Sequence, residues 1–149
     1  MKKDFKMRTG LIVGEDGLDK LKNANVIVFG VGGVGSFACE AIVRAGVGNI
    51  TIVDFDDVDI TNINRQIPAL HSTVGRYKVE VMKERLLDIN PDLNIKAIKK
   101  LYNAEKGMKL IESLDNTDAI FITKDQKIYT TSNLKGKLNL KDSSFELID

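Results

Sequence analysis

The stretch Asn25-Val26-Ile27-Val28-Phe29-Gly30-Val31-Gly32-Gly33-Val34-Gly35 decides the fold. Val26 to Phe29 is an unbroken apolar run ending in glycine, the composition of a strand buried on both faces, as in a parallel sheet. Gly30 to Gly35 then satisfies G-x-G-x-x-G, and it does so between a strand and a helix, where that pattern has a mechanism. Glycine permits the tight turn and lets a phosphate approach the backbone. The helix N-terminus then offers free N–H groups and a partial positive charge to the anion. The same glycines would also serve a helix that merely packs close to a sheet.

Working outward, Val34, Phe37, Ala38, Ala41, Ile42 and Ala45 recur at helical spacing and are expected to face the sheet. Gly46 and Gly48 end that helix. Asn49 to Asp54 reads as a second strand, so the unit is βαβ with a right-handed crossover. Asp54 lies about 20 residues past the turn, where a carboxylate can accept hydrogen bonds from ribose hydroxyls. Upstream, a helix over about Asp16 to Asn23 is expected to pack through Leu18 and Leu21. Downstream come a long polar loop from Phe55 to about Val74 and a helix from Gly75 with a Val79, Met82, Leu86, Ile89 stripe. Asn90-Pro91-Asp92 stops it, and Leu93 to Lys99 reads as a third strand. Ala104 to Leu114 suits a helix with Met108, Ile111 and Leu114 inward. Ala119–Thr123 and Lys127–Thr130 suit a hairpin around Lys124-Asp125-Gln126, and poor order is expected from Thr131.

Composition bounds the function. A chain of 149 residues, 43% hydrophobic and 29% charged, suits one soluble domain with a real core. Lysine and arginine number 22 against 21 acids, a net charge of +1, which excludes a globally basic nucleic-acid binder. A local patch such as Lys96, Lys99 and Lys100 remains open to that use. The single cysteine, Cys39, excludes an internal disulfide and a zinc site of several cysteines. Cys39 reads as core, and the single histidine, His71, as a loop residue. No apolar run approaches the roughly 18 residues of a membrane span, and the basic start has no apolar stretch behind it. A reduced, cytoplasmic protein is expected.

The glycine turn alone admits either a nicotinamide dinucleotide or ATP. Arg65, in Thr61-Asn62-Ile63-Asn64-Arg65-Gln66, and Lys78 favour ATP, because a triphosphate calls for cations beyond the turn and a dinucleotide gives them no task. An NAD(P)-binding oxidoreductase domain and a non-catalytic nucleotide-binding or dimerising module are the alternatives.

Together these segments resemble the ThiF-type, ubiquitin-activating-enzyme-like adenylating family. The resemblance rests on Arg8-Thr9-Gly10-Leu11-Ile12, Gly30 to Gly35, Asp54-Phe55-Asp56, Thr61 to Gln66 and Thr73-Val74-Gly75-Arg76-Tyr77-Lys78-Val79. It covers about Phe5 to Ala97. Val53 to Asp59 and Ala69 to Gly75 make the tRNA threonylcarbamoyladenosine dehydratase branch the most similar. The resemblance implies a Rossmann-like parallel sheet that binds ATP and Mg²⁺. It implies adenylation of a carboxylate carried by tRNA, and a homodimer. In that pattern Gly30, Gly32, Gly33 and Gly35 cradle the nucleotide, Asp54 and Asp56 lie at it with Asp54 on the ribose, and Asn62, Arg65 and Lys78 contact phosphates. Arg8 matches an arginine inserted into the partner's site.

Residues 1–100 thus read as a ThiF-type ATP-binding segment and residues 101–149 as an atypical tail of helix and hairpin. The family pattern runs on to a strand ending in a magnesium-binding aspartate. Asp125 falls near that place, though its neighbours do not match, and Asp115-Asn116 is a weaker candidate. From about Glu105 the chain is similar to the C-terminal end of FAD:protein FMN transferases, without their flavin-transfer site. On this reading the sheet holds only the first three family strands, with the hairpin available to close its open edge.

Overall fold

The computed structural model describes residues 3–101, 104–114, 117–122, 127–130, 136–139 and 144–147. Helix α1 is Met7–Asn23, strand β1 Asn25–Phe29, α2 Gly35–Ala45, β2 Asn49–Val53, α3 Lys78–Ile89, β3 Asn94–Ile98 and α4 Ala104–Ser113. Strands β4 to β7 are Ala119–Ile122, Lys127–Thr130, Gly136–Asn139 and Ser144–Leu147. The main sheet has five strands in the order β3-β2-β1-β4-β5. Strands β1 to β4 are parallel, and β5 joins β4 antiparallel. Phe29 is in register with Val53 and Ile122, and Val53 with Ile98, so the four parallel strands end at one level.

The expected α/β sheet is therefore present, and it extends past three strands. The hairpin closes the free edge of β1, with β4 adding the next parallel strand and β5 forming the new edge. From Thr131, where poor order is expected, the described residues are those of β6 and β7, which pair as a separate antiparallel ribbon. Lys124-Asp125-Gln126, Asp115-Asn116 and the side chain of Met108 lie outside the described residues. No described helix is long and apolar enough to cross a membrane.

Val26, Val28, Ile50 and Ile52 face one way and meet Cys39 and Val43 of α2 and Val79, Met82 and Leu86 of α3 in the main core. Ile27 and Ile120 are buried on the opposite face. The expected inward face of α2 needs correction. Val34, Phe37 and Ala41 are exposed, and Gly35, Ser36, Cys39 and Val43 are buried instead. Two helical stripes of this segment are apolar, and the sheet takes the one with smaller side chains, which allows closer approach. Helix α1 starts nine residues earlier than expected (Met7 against Asp16) and is broken at Gly14, whose φ of 71° belongs to glycine.

The loop from Phe55 to Val74 has its own structure. Asp59 and Asn62 make a reciprocal capping box on a short 3₁₀ turn, Ile60–Asn62. Val58, Ala69 and Val81 form a small second core beneath it. Thr73 Oγ1 accepts from Leu70 N–H at 2.9 Å and donates to the Pro68 carbonyl at 2.5 Å.

Gly48 locks α1 to β2. Its N–H donates to the Leu21 carbonyl at 3.1 Å, and a Cβ built on it would lie 2.0 Å from the Lys22 carbonyl oxygen. Neither atom sits on a flexible side chain, so Gly48→Ala must part the two segments. Urea unfolding should show a loss of about 1–3 kcal/mol or more. Cys39 is fully buried, and burial pushes its thiol up to about 12. At pH 8 a disulfide reagent should therefore label it at the rate of unfolding, and fast labelling of the folded protein would contradict this packing.

Candidate functional site

The chain runs outward from β1 to β2 and β3, then returns across β1 to β4. The strand order therefore reverses between β1 and β4. In open α/β sheets the crevice outside the carboxyl ends of such strands is where ligands bind. The glycine turn, which follows β1, sits there. Gly30 has φ 92°, a left-handed value that frees the chain to turn, and its N–H donates to the Val53 carbonyl at 2.7 Å. Helix α2 begins at Gly35 with no side chain capping it and no acid in its first turn. Ser36 N–H donates to the Gly32 carbonyl at 3.1 Å, and an uncapped helix start without an acid favours an anion near it.

Asp54 fixes this turn to the neighbouring strand. Its Oδ2 accepts from Val31 N–H and its Oδ1 from Asp56 N–H, both at 2.8 Å. A carboxylate has about four acceptor sites, so capacity remains for ribose hydroxyls. Ser36 joins the turn to the loop. Its hydroxyl donates to the Gly32 carbonyl and accepts from Ile67 N–H at 3.3 Å. The sequence reading missed Ser36, since a serine inside a helix carries no distinguishing pattern.

Arg65 and Gln66 lie over the glycines. A Cβ on Gly32 would have Gln66 Nε2 as its nearest atom, at 3.4 Å, and one on Gly33 would have Arg65 Cγ at 3.7 Å. Both are ordinary contacts, so the fold itself does not demand glycine at these positions. Gln66 Oε1 is buried and is the one such side-chain atom among the described residues with no hydrogen-bond partner. Such an atom costs about 1–3 kcal/mol, and a donor on a bound ligand would relieve it. Gln66 was quoted in the loop motif without a role, and its place beside Arg65 was the available signal.

Arg65 donates to the Thr61 carbonyl at 3.1 Å and to Asn64 Oδ1 at 2.9 Å, and it is exposed. Asn62 is buried, with Oδ1 accepting from Asp59 N–H at 2.9 Å, so its carbonyl serves the loop. Lys78 is only 5% exposed and opens α3. Its Nζ lies 3.6 Å from Asp56 Oδ2, and its charge helps to hold Asp59 below the usual carboxylate range, after the hydrogen bonds from Thr61. A buried cation at a helix N-terminus is unfavourable through both desolvation and the helix dipole. Asp56 supplies one carboxylate to that position.

Arg8 lies elsewhere. It is exposed near the start of α1, and Lys6, two residues before it, packs against Gly46 at the far end of α2. Helix α2 has 11 residues, about 16 Å at 1.5 Å per residue, so Arg8 sits toward the opposite end of the sheet from the glycine turn. His71 is exposed. Among the described residues no group of three or more His, Cys, Asp and Glu side chains is placed to hold a metal ion. Asp125 lies outside those residues, but β4 ends at Ile122, level with Phe29, so the chain leaves β4 at the glycine-turn end.

Comparison with known proteins agrees with this geometry. Residues 6–133 match the ThiF family. The tRNA threonylcarbamoyladenosine dehydratase of Bacillus subtilis is 58% identical over 98 residues, covering 66% of this chain and 39% of that protein. The molybdopterin-synthase adenylyltransferase of Escherichia coli is 37% identical over 111 residues, covering 72% of this chain and 45% of that protein. The crystal structure of the E. coli tRNA N6-threonylcarbamoyladenosine dehydratase in complex with ATP superposes with a TM-score of 0.76 at 36% identity, covering 79% of this chain and 48% of that one. The matched region is less than half the length of each of these proteins. With its switch-point glycine turn, its Asp54 brace and a match that runs from α1 through β5, the chain belongs to the ThiF family.

Proposed function

We propose that this chain binds ATP at the glycine turn and adenylates a carboxylate, that of threonylcarbamoyladenosine in tRNA, as the activating step of its dehydration to a ring. The observation that carries the reading is the space beside Gly32 and Gly33, whose nearest neighbours are the Gln66 and Arg65 side chains, with the Arg65 carbonyl 3.9 Å from a Cβ built on Gly33. A phosphate chain fills such a space, and the buried Lys78 supplies a cation that the fold alone does not need. The ATP complex of the similar E. coli dehydratase supports the choice of nucleotide.

Each residue then has a task. The N–H groups at the start of α2 and the glycine turn hold phosphate oxygens. Asp54 receives the ribose hydroxyls, and Asn62 lies with Arg65 and Lys78 along the phosphates. A substrate carboxylate oxygen attacks the α-phosphorus, the bond from that phosphorus to the bridging oxygen of the β-phosphate breaks, and pyrophosphate leaves. Arg65 and Lys78 stabilise the charge that grows on the α-phosphate and the leaving group. Attack on the activated carboxyl from within the same nucleoside then expels AMP and closes the ring. Magnesium, when bound, screens the phosphates. With no described carboxylate cluster it would be held by those phosphates, by water and by few side chains, and Asp125 is our candidate among them. The reading also includes a cytoplasmic site of action and a second copy of the chain, whose Arg8 would complete the site.

Calorimetric titration with magnesium-ATP, with NAD as the control, tests the nucleotide. We expect micromolar ATP affinity and silence with NAD, and the reverse would overturn the reading. Gly33→Ala should leave the melting temperature unchanged and weaken ATP at least about tenfold, because its methyl meets only Arg65 until a phosphate arrives. Lys78→Met should melt no lower than the parent, yet lose about 1.5–3 kcal/mol of ATP affinity. A large loss of stability with ATP binding intact would make Lys78 a structural residue.

A further inference from the structure

A cavity of about 250 Å³ lies at the amino ends of β1, β2 and β3, one strand length, about 16 Å, from the glycine turn. Its floor is the sheet face opposite the main core. Ile50 and Ile52 point into that core, so Thr51 between them points the other way, in register with Ile27 on one side and Lys96 on the other. The next row toward the strand starts is Asn25, Asn49 and Asn94. Ser113 and Leu114, at the carboxyl end of α4, form the wall. Thr51 is 7% exposed, and its hydroxyl has no hydrogen-bond partner among the described residues. That hydroxyl is not sealed in, as Gln66 Oε1 is, but opens into the cavity. Lys96 lies beside it, one strand spacing away, and pairs with no acid among the described residues. None of the described lining residues is acidic.

The row of amides has the opposite character. Asn94 Nδ2 donates to Asn49 Oδ1 at 3.2 Å, which leaves Asn94 Oδ1 as an acceptor. Helix α4 ends at the same wall, so its dipole adds a partial negative charge there. One level of the cavity thus offers an ammonium and a hydroxyl, and the next level offers carbonyl oxygens. A plain anion would meet the carbonyl end, and a plain cation would meet Lys96. A small molecule carrying both charges satisfies both levels. We propose that this cavity binds a free α-amino acid with a small side chain. Its carboxylate lies on Lys96 Nζ and Thr51 Oγ1, and its ammonium on Asn94 Oδ1 and the last carbonyls of α4. The two levels are two residues apart along a strand, about 6.6 Å, a gap that an α-amino acid spans with a hydrogen bond at each end. Its side chain meets Ile27 and Leu114. The site adds a ligand to the chain and rests on no part of the adenylation reading.

The test titrates the whole ¹⁵N-labelled chain with L-serine and follows the amide signals by NMR. We expect saturable shifts centred on Thr51, Lys96 and Ser113, half complete at about 1 mM or below. L-lactate lacks the ammonium and ethanolamine lacks the carboxylate, so each should bind at least about tenfold more weakly. Lys96→Met should weaken serine at least about tenfold. Thr51→Val should weaken it severalfold and melt no lower than the parent, because a methyl replaces a hydroxyl that has no protein partner. Lys83→Met, on α3 across the sheet, should bind as the parent does. The proposal is overturned if serine gives no saturable shift up to about 20 mM, which would leave a cavity that holds only water. It is also overturned if lactate binds as tightly as serine, which would make this a site for any anion. Unchanged binding by Lys96→Met, or an equal loss in Lys83→Met, overturns it as well. So does a lower melting temperature for Thr51→Val, since the hydroxyl would then have a structural task. Magnesium-ATP added to the same samples should shift signals at the glycine turn, and failure of that shift would remove the adenylation reading and leave this site.

Discussion

Asp54 joins two chain segments that strand pairing brings side by side. One carboxylate oxygen receives the Val31 N–H, just inside the glycine turn, and the other receives the Asp56 N–H, just past β2. The turn after β1 is thereby tied to the loop after β2. That loop carries Arg65 and Gln66 back over the glycines, and Ser36 pins it a second time through Ile67. The half-buried bond from Val31 is charge-assisted and worth about 1.5–3 kcal/mol, the exposed one from Asp56 less, so the brace helps to set the geometry. Without it the roof and floor of the crevice would be tied only through Ser36. The same carboxylate keeps acceptor capacity beyond these two bonds, so the ribose role proposed for Asp54 would be compatible with its structural one.

The parts of the fold legible in the sequence were those where one physical signal dominated. The apolar run of β1, the glycine turn and the strand end at Asp54 lie within a single βαβ unit, and local pattern is enough to define it. Helix α2 shows where pattern runs out. Its Val34-Phe37-Ala41 stripe is the more hydrophobic by residue type, yet Ser36, Cys39 and Val43 face the core. The periodicity fixes that a helix exists but leaves its rotation to the sheet, which admits small side chains and lets Ser36 reach the Gly32 carbonyl. Exposed Phe37 is then surface left over from that choice.

For the site, residue types were legible and their states were not. Arg65 and Lys78 were both read as phosphate cations from their place after the turn. The structure separates them, one exposed and resting on its own loop, the other 5% exposed with one ion pair to Asp56 at 3.6 Å. Burial of Lys78 was invisible because the stripe of α3 seemed to run from Val79 and left Lys78 on the water side. In fact the loop folds over the start of α3, its second core drawing on Val81. A helix that begins with a buried lysine gives up stability at that end. The sequence could show that cost only through tertiary contacts, and those depend on a loop whose own capping box, Asp59 with Asn62, was not recognised.

Strand β4 was the least legible part that matters for the site. Ala119-Ile120-Phe121-Ile122 reads as half of a hairpin, which it is, but its parallel pairing with β1 spans more than 90 residues of chain and leaves no local mark. The consequence is large. A sheet ordered β3-β2-β1 has no reversal, and its carboxyl end would expose one flank of the glycine turn to water. Adding β4 on the other side of β1 creates the reversal, and with it a crevice with two walls. Low-dielectric walls on both sides make cations such as Lys78 more effective on a phosphate than they would be on an open edge. The hairpin segment therefore supplies the second wall of the crevice without supplying a described ligand residue. The span of the family match, which continues through it to residue 133, follows the sheet and not the glycine motif alone.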